Sequence, residues 1–309
     1  MNLYFAPLEG ITTYTYRNTH AEMFGGCDKY YAPFITPTAN EKVGLKVLRD
    51  ILPEKNDTER LVVQMLSSQP EAFLNFAEKI KDFGYDEINL NFGCPSSTVV
   101  KKDRGAGALR DITVLDDFLA EVFDKSDIKI SVKTRVGFWS GDEIGELMEV
   151  YNKYPISQLV VHPRAREDYY NGVPNMTAFE KAYSLAKMPI CYNGDVFSAE
   201  DFYGIEKKFS QLEGVMFGRG AVSNPAIFRE IKGGEKLKTN ELAEFTARLK
   251  DRYLEVLGSE VYTLHKLKEI WMYIMWNFPD EKKILKAIKK SNRLTDLMDA
   301  IKYLPEIKN

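Results

Sequence analysis

The segment EINLNFGCPSS, residues 87–97, sets the pattern on which the fold is read. A short apolar run, EINLN at 87–91, breaks into glycine, cysteine and proline, so a strand gives way to a turn. On its N-terminal side lies PEAFLNFAEKIKDFG, 70–84. Phe73, Phe76, Ala77, Ile80 and Phe83 recur there at i, i+3, i+4, i+7 and i+10, which predicts an amphipathic helix ended by Gly84. On its C-terminal side VLDDFLAEVF, 114–123, predicts another. Outward in both directions the unit repeats. Strands are expected at LYFA (3–6), KYYAPF (29–34), LVVQML (61–66), IKISVKT (128–134), QLVVH (158–162), PICYN (189–193) and GVMFG (214–218).

Eight strands alternating with helical segments predict an α/β fold of the (β/α)8 TIM-barrel type, whose usual size is about 250 residues. An open doubly wound sheet normally carries a Gly-rich turn after its first strand, and only Gly10 stands there. After IFREIKGGEKLKTN, 227–240, no strand signal remains and helical periodicity runs to residue 304. The expected organisation is a catalytic barrel over 1–235 and a helical domain of three or four helices over 236–309.

Composition narrows the function classes. Of 309 residues, 44% are hydrophobic and 28% charged, as in a globular protein. MNLYFAPLEG lacks the basic start and small-residue cleavage site of a signal peptide, and no apolar run is long enough to span a bilayer as a helix. Cys27, Cys94 and Cys191 form neither a CxxC spacing nor an even disulfide set, and His20, His162 and His265 are far apart. Neither a metal centre nor membrane association is expected; a reducing cytoplasm is. The net charge of −3 does not advertise a nucleic-acid binder, although a local basic face remains compatible with it.

In such a barrel the chemistry sits at the C-terminal ends of the strands. The groups found there are Pro7, Leu8 and Glu9; Gln64; Asn91, Gly93 and Cys94; Lys133 and Arg135; His162 and Arg164; Asn193, Gly194 and Asp195; and Gly218, Arg219 and Gly220. Seven of the eight strands contribute, all at the same end. NGD at 193–195 and GRG at 218–220 occupy the loops where barrels commonly hold phosphate, with Arg219 as a charge-assisted partner; the bland reading is two ordinary turns. Lys133 either snorkels or points into the mouth. A free cysteine is more often a small buried hydrophobe than a catalyst, but Cys94 lies in a loop between Gly93 and Pro95. Cys27 and Cys191 read as structural. His162 reads either as a satisfied structural histidine or as part of the mouth.

Set side by side, these segments resemble the tRNA-dihydrouridine synthase family. The resemblance runs from FAPLEGITTYTYR (5–17) to about residue 230, through QMLSSQP (64–70), INLNFGCPSSTVVKKDRGAGALR (88–110), VKTRVG (132–137), VHPRARED (161–168), NGDV (193–196) and GRGAVSNPAIF (218–228). NLNFGCP followed by GAGALR is its most specific part. Thr13, Ala165 and Ala226 depart from the family's usual residues.

The resemblance implies an FMN enzyme that uses NADPH to reduce uridine in tRNA. Flavin N5 would deliver hydride to C6 of the uracil and Cys94 a proton to C5; an unperturbed thiol, with a pKa of about 8.5, is already an acid at neutral pH. It implies that Pro7, Leu8 and Glu9 contact the flavin and that Gln64 and Lys133 lie on the isoalloxazine. It further implies that His162, Asn193, Gly194, Asp195, Gly218 and Arg219 form the ribityl and phosphate site, and that Asn91 and Arg164 hold the uracil.

The helical domain would grip RNA through Lys282, Lys286, Lys289 and Arg293, spaced i, i+4, i+7 and i+11 as one helix stripe. Alone, that stripe is a solvated basic face. A monomer is expected. Two other readings stay open: a flavin barrel acting on a free pyrimidine-like molecule, and an RNA-binding protein on an inactive barrel.

Overall fold

The computed structural model describes residues 1–37, Gly44 and 48–307. Eight parallel strands close into a barrel in chain order: β1 (Asn2–Phe5), β2 (Lys29–Tyr31), β3 (Leu61–Met65), β4 (Glu87–Phe92), β5 (Lys129–Arg135), β6 (Leu159–His162), β7 (Ile190–Tyr192) and β8 (Gly214–Phe217), with β8 pairing back onto β1. The (β/α)8 expectation is met, and every expected strand is present within a few residues of its bounds. These strands are buried on nearly every position because both faces of a parallel barrel are covered.

Alternation sorts the two faces. Leu3, Phe5, Val63, Ile88, Leu90 and Val161 belong to the large core between strands and helices. Tyr4, Tyr31, Val62, Val160, Cys191 and Met216 form a separate small cluster that fills the lumen. Continuing the inner parity toward the C-terminal ends brings in Gln64, Asn91, Lys133, His162 and Asn193. The lumen is thus apolar below and polar at its mouth, which is what puts chemistry there.

The helices around the barrel are α1 (Tyr14–Met23), α2 (Pro70–Asp82), α3 (Ser97–Val100), α4 (Ile112–Lys125), α5 (Ile144–Tyr151), α6 (Met176–Leu185), α7 (Ala199–Lys208), α8 (Arg219–Ser223) and α9 (Ile227–Ile231). The predicted 70–84 helix stops at Asp82; Gly84 takes φ +85°, the left-handed conformation that terminates it. Asp111 caps α4 by accepting from the Thr113 and Val114 N–H groups, which starts that helix two residues before the apolar pattern shows it.

Four helices follow: α10 (Thr239–Leu257), α11 (Glu260–Ile274), α12 (Lys282–Lys290) and α13 (Leu294–Ile301). α10 packs on α1, with Phe245 edge-on to Tyr16 and Phe24 at ring centroid distances of 5.4 and 5.2 Å. Trp271 of α11 is buried and donates from Nε1 to Thr246 Oγ1 at 3.2 Å. The hydrophobic core therefore runs without a break from the barrel into these helices.

The basic stripe is an expectation that the fold corrects. Lys282, Lys286 and Lys289 share α12, but Arg293 does not. The helix ends at Lys290, Ser291 is extended at φ −58°, ψ 132°, and Arg293 opens α13, where it pairs with Asp296 at 2.9 Å. Asp296 accepts the Asn292 and Arg293 N–H groups and so starts a new helix where periodicity alone carries the old one on. Among the described residues no helix is long and apolar enough to cross a membrane.

Candidate active site

The strand ends converge on a cavity of about 480 Å³ at the barrel mouth, within the range of small-molecule sites. Pro7, Leu8, Glu9, Gln64, Asn91, Gly93, Cys94, Lys133, His162, Asn193, Gly194, Asp195, Gly218, Arg219 and Gly220 all line it, as the sequence led one to expect. Arg135 and Arg164 do not. Arg164 is 1% exposed beneath the rim, where it donates to Asp195 at 2.6 Å and to the Asn171 and Gly172 carbonyls.

Asn91 organises the fourth strand end. Its Oδ1 accepts the N–H groups of Gly93 and Cys94, both at 2.9 Å, and its Nδ2 donates to Gln64 Oε1 at 2.7 Å. Gln64 Nε2 in turn donates to Asn89 Oδ1, and Asn89 to Ser131 Oγ. These buried amides satisfy one another, so they are held rigidly in a low-dielectric lumen.

The GAGALR stretch packs under the cysteine. Ala106 N–H donates to Cys94 O at 3.0 Å. Gly105 sits at φ +56°, and a Cβ there would come within 2.8 Å of that same oxygen. Arg135, 1% exposed, ties the far side by donating from Nε to Gly93 O at 2.7 Å and from Nη1 to Ala165 O at 2.8 Å. Cys94 is half-buried, whereas Cys27 and Cys191 are fully buried. Burial pushes its thiol pKa up, against smaller opposing effects from the Ser96 backbone, Arg135 and Lys133. The thiol is therefore neutral at neutral pH.

Lys133 projects beside this loop: a Cβ on Gly93 would lie 3.9 Å from its Nζ. Among the described residues the ammonium has no ion-pair or hydrogen-bond partner. Burial, then repulsion from Arg135, lowers its pKa to about 8. His162 is likewise held well below its ordinary value, first by burial and then by Arg135, Lys133, Arg164 and Arg219. Arg164 Nη1 lies 3.3 Å from His162 Nε2. A guanidinium can only donate, so Nε2 accepts and the neutral ring carries its proton on Nδ1.

The two Gly-rich turns interlock on the other side. A Cβ on Gly220 would stand 2.0 Å from Val196 O, so only glycine lets the loops meet. Asp195 accepts from Arg164 and, at 2.6 Å, from Arg219. Burial alone would raise the Asp195 carboxyl; the two guanidiniums outweigh it and hold it below its ordinary value. Arg219 is thereby fixed under the Tyr170 ring at 5.0 Å. The helix that begins inside GRG, α8, has only five residues, too few to make a helix-terminus anion site of its own.

Sequence reasoning missed Pro33, Phe34, Tyr170, Phe197, Tyr273 and Trp276, which also line the cavity. Phe34 ends the second predicted strand and was readable from its position. Tyr273 and Trp276 come from the helical segment, and no local pattern shows that it returns over the barrel mouth. Among the described residues no group of three or more His, Cys, Asp or Glu could hold a metal ion.

A mouth lined by one neutral thiol, one unpartnered ammonium and a fixed amide network is suited to binding a planar polar ligand and giving up a proton. The dihydrouridine synthase family matches the sequence over residues 4–306. The chain belongs to that family, which is one of oxidoreductases. It is 28% identical over 318 aligned residues to the tRNA-dihydrouridine(16) synthase of Neisseria meningitidis serogroup B, covering 98% of this chain and 92% of that one. It is 25% identical to tRNA-dihydrouridine synthase B of Pseudomonas putida, covering 85% and 81%. Among solved structures, a 2-naphthoyl-CoA reductase complex aligns with a TM-score of 0.57 at 10% identity, over 75% of this chain and 50% of that one, a likeness of fold alone.

Proposed function

We propose that this dihydrouridine synthase reduces uridine in tRNA to 5,6-dihydrouridine, with FMN in the barrel mouth, NADPH as reductant and Cys94 as the proton donor. The observation that carries this reading is the placement of the neutral Cys94 thiol beside the unpartnered Lys133 ammonium in one cavity.

The residues fit a flavin mononucleotide. Lys133 is half-buried, lines the cavity and has no hydrogen-bond or ion-pair partner among the described residues, which calls for an anionic or carbonyl-rich ligand. Gly194, Gly218 and Gly220 line the opposite wall, where Gly218 alone leaves its Cβ space free of close contacts, with Arg219 beside it. Lys133 and Gln64 would hold the isoalloxazine, with Pro7, Leu8 and Glu9 against it. Asn193, Gly194, Asp195, Gly218, Arg219 and the Nδ1–H of His162 would hold the ribityl chain and phosphate. When bound and reduced by NADPH, FMN supplies a hydride to uracil C6.

The protein's share is orientation and the proton. Asn91 fixes the Cys94 backbone, so the Sγ–H is held by a rigid frame. A thiol with a raised pKa stays protonated and gives its proton to uracil C5. Asn91 and Arg164 would hold the base; Arg164 acts from beneath the rim, through Asp195 and the 171–172 carbonyls it orders. The uridine must leave its stack to enter, which costs a few kcal/mol and is easiest at a loop nucleotide.

The barrel over 1–235 would carry the chemistry and the helices over 236–309 the RNA. The second region holds 15 lysines and arginines against 11 aspartates and glutamates, a net +4, which leaves −7 for the first. Lys282, Lys286 and Lys289 are exposed on α12, and Arg293 adds a cation at the start of α13.

The test is reconstitution with FMN and NADPH, followed by mass spectrometry of unmodified tRNA. Dihydrouridine in the tRNA is expected. NADPH oxidation that responds to free uracil and not to tRNA would favour a small-molecule flavin barrel. A protein that takes up no FMN, shown by no absorbance near about 450 nm, would favour an inactive scaffold.

A further inference from the structure

The turn after α11, residues 275–277, is unusual among the cavity walls because it belongs to the C-terminal helices and yet touches Phe197 after the first Gly-rich turn and Ser223 at the end of α8, the helix that carries Arg219 and Gly220. Hydrogen bonds and ring packing make the connection. Asn277 Nδ2 donates to Ser223 O at 2.7 Å and to Ile274 O at 2.9 Å, joining the end of α11 to α8. Ser223 Oγ passes the link on to Gly220 O at 2.9 Å. The Trp276 ring packs against Phe197 at 5.7 Å and Tyr273 at 5.3 Å, although 47% of it remains exposed. Phe197 directly follows Val196, whose carbonyl rests on Gly220.

The links form a closed circuit. The β7 loop lies on the β8 loop through Val196 and Gly220. α8, which carries Gly220, is tied to the end of α11 through Ser223 and Asn277. α11 returns to the β7 loop through Trp276 and Phe197. A large aromatic left half-exposed at the rim of a cavity is poised to bury its free face against whatever fills that cavity.

We infer that Trp276 and Asn277 form a clasp by which the C-terminal helices hold the 193–197 and 218–220 loops closed around the phosphate-bearing end of the cofactor. Both are positioning residues: Asn277 sets the loop spacing, and Trp276 covers the gap between the loops. The inference rests on the reading of the cavity as a flavin site. It goes further in making cofactor retention a property of the helical segment, which an RNA grip alone does not require.

The experiment measures flavin release. Protein loaded with FMN is diluted, and the recovery of free flavin fluorescence gives the dissociation rate. Trp276→Ala and Asn277→Ala are each expected to accelerate release about tenfold, the upper end for removing an aromatic pair or a buried hydrogen bond. Trp276→Phe, which keeps a ring against Phe197, is expected to release close to the wild-type rate. Phe197→Ala provides a second route should Trp276→Ala fold poorly. The double variant should release flavin no faster than Phe197→Ala alone, because Phe197→Ala already removes the ring packing with Trp276 along with its own contact to Arg219 at 5.8 Å.

The melting temperature of the flavin-free variants separates the clasp from general loosening; it is expected to change little. Unchanged release in Trp276→Ala and Asn277→Ala would overturn the clasp. So would unchanged release with weakened tRNA binding, which would assign Trp276 to RNA instead. A wild-type chain that takes up no FMN would remove the flavin reading itself, a result distinct from these.

Discussion

Asn91 Oδ1 accepts the Cys94 backbone N–H at 2.9 Å while Asn91 Nδ2 donates to Gln64 Oε1 at 2.7 Å. One amide thus fixes the loop that carries the thiol and the Gln64 side chain that lines the cavity. Asn91→Ala strands the Gln64 acceptor and two N–H donors, at a cost of about 1–3 kcal/mol in stability. Because Cys94 loses its anchor, product formation should fall by about 10²-fold, more than NADPH oxidation does. Paired measurements of the two rates check this.

Gly105→Ala should be disproportionately damaging. The added Cβ meets Cys94 O at 2.8 Å and Val99 Cγ1 at 2.9 Å on a backbone at φ +56°. Overpacking and strain together predict a loss of about 2–4 kcal/mol in urea unfolding, with dihydrouridine formation impaired. Gly84→Ala, at φ +85° but facing open space, is the control and should cost about 1 kcal/mol with activity retained.

Flavin affinity should depend on pH through Lys133. Burial lowers its pKa to about 8, so the cation that would meet the cofactor is present below that pH and lost above it. FMN binding to the apoprotein, followed by fluorescence quenching, is expected to weaken as pH rises past about 8. Lys133→Met should bind more weakly and show a flat profile across the same range.

Stability should respond to a different residue. His20 is buried, with Nδ1 2.7 Å from Tyr30 OH and Nε2 2.8 Å from Pro225 O, and burial lowers its pKa to about 4. Its folded pKa lies below its unfolded one, so the unfolded chain takes up the proton first. Stability from this group is complete above about pH 7 and is lost as pH falls from about 6.5 toward 4. Urea denaturation should show a drop of about 2 kcal/mol between pH 7 and pH 5. A His20 variant that still folds should show a smaller one.

For RNA, Lys282→Ala, Lys286→Ala and Lys289→Ala should each reduce the salt dependence of tRNA affinity, by about one unit of log–log slope for each phosphate left without its cation. Arg293→Ala should change it less, because Asp296 already engages that guanidinium. An unchanged slope in the triple lysine variant would remove α12 from the RNA interface.

The barrel was legible because its information is local. Each strand is a short apolar run, and parity along it decides which side chains enter the lumen. Gln64, Asn91, Lys133, His162 and Asn193 are thus readable as a group before any coordinate is known. Arg164 has the right position in sequence, yet Asp195 draws it below the rim. Arg293 has the right spacing, yet Asp296 restarts the helix there. Trp276 and Tyr273 lie some 180 residues from Cys94 in the chain, and only the packing of α10 and α11 on α1 and α8 brings them to the mouth.

The central claim is that Cys94 is a proton donor, and the Cys94→Ala variant tests it most directly. FMN binding, NADPH oxidation and tRNA dihydrouridine content are measured on the same preparation. The expected result is intact FMN binding and NADPH oxidation with dihydrouridine formation abolished. Dihydrouridine formed at the wild-type rate would contradict it.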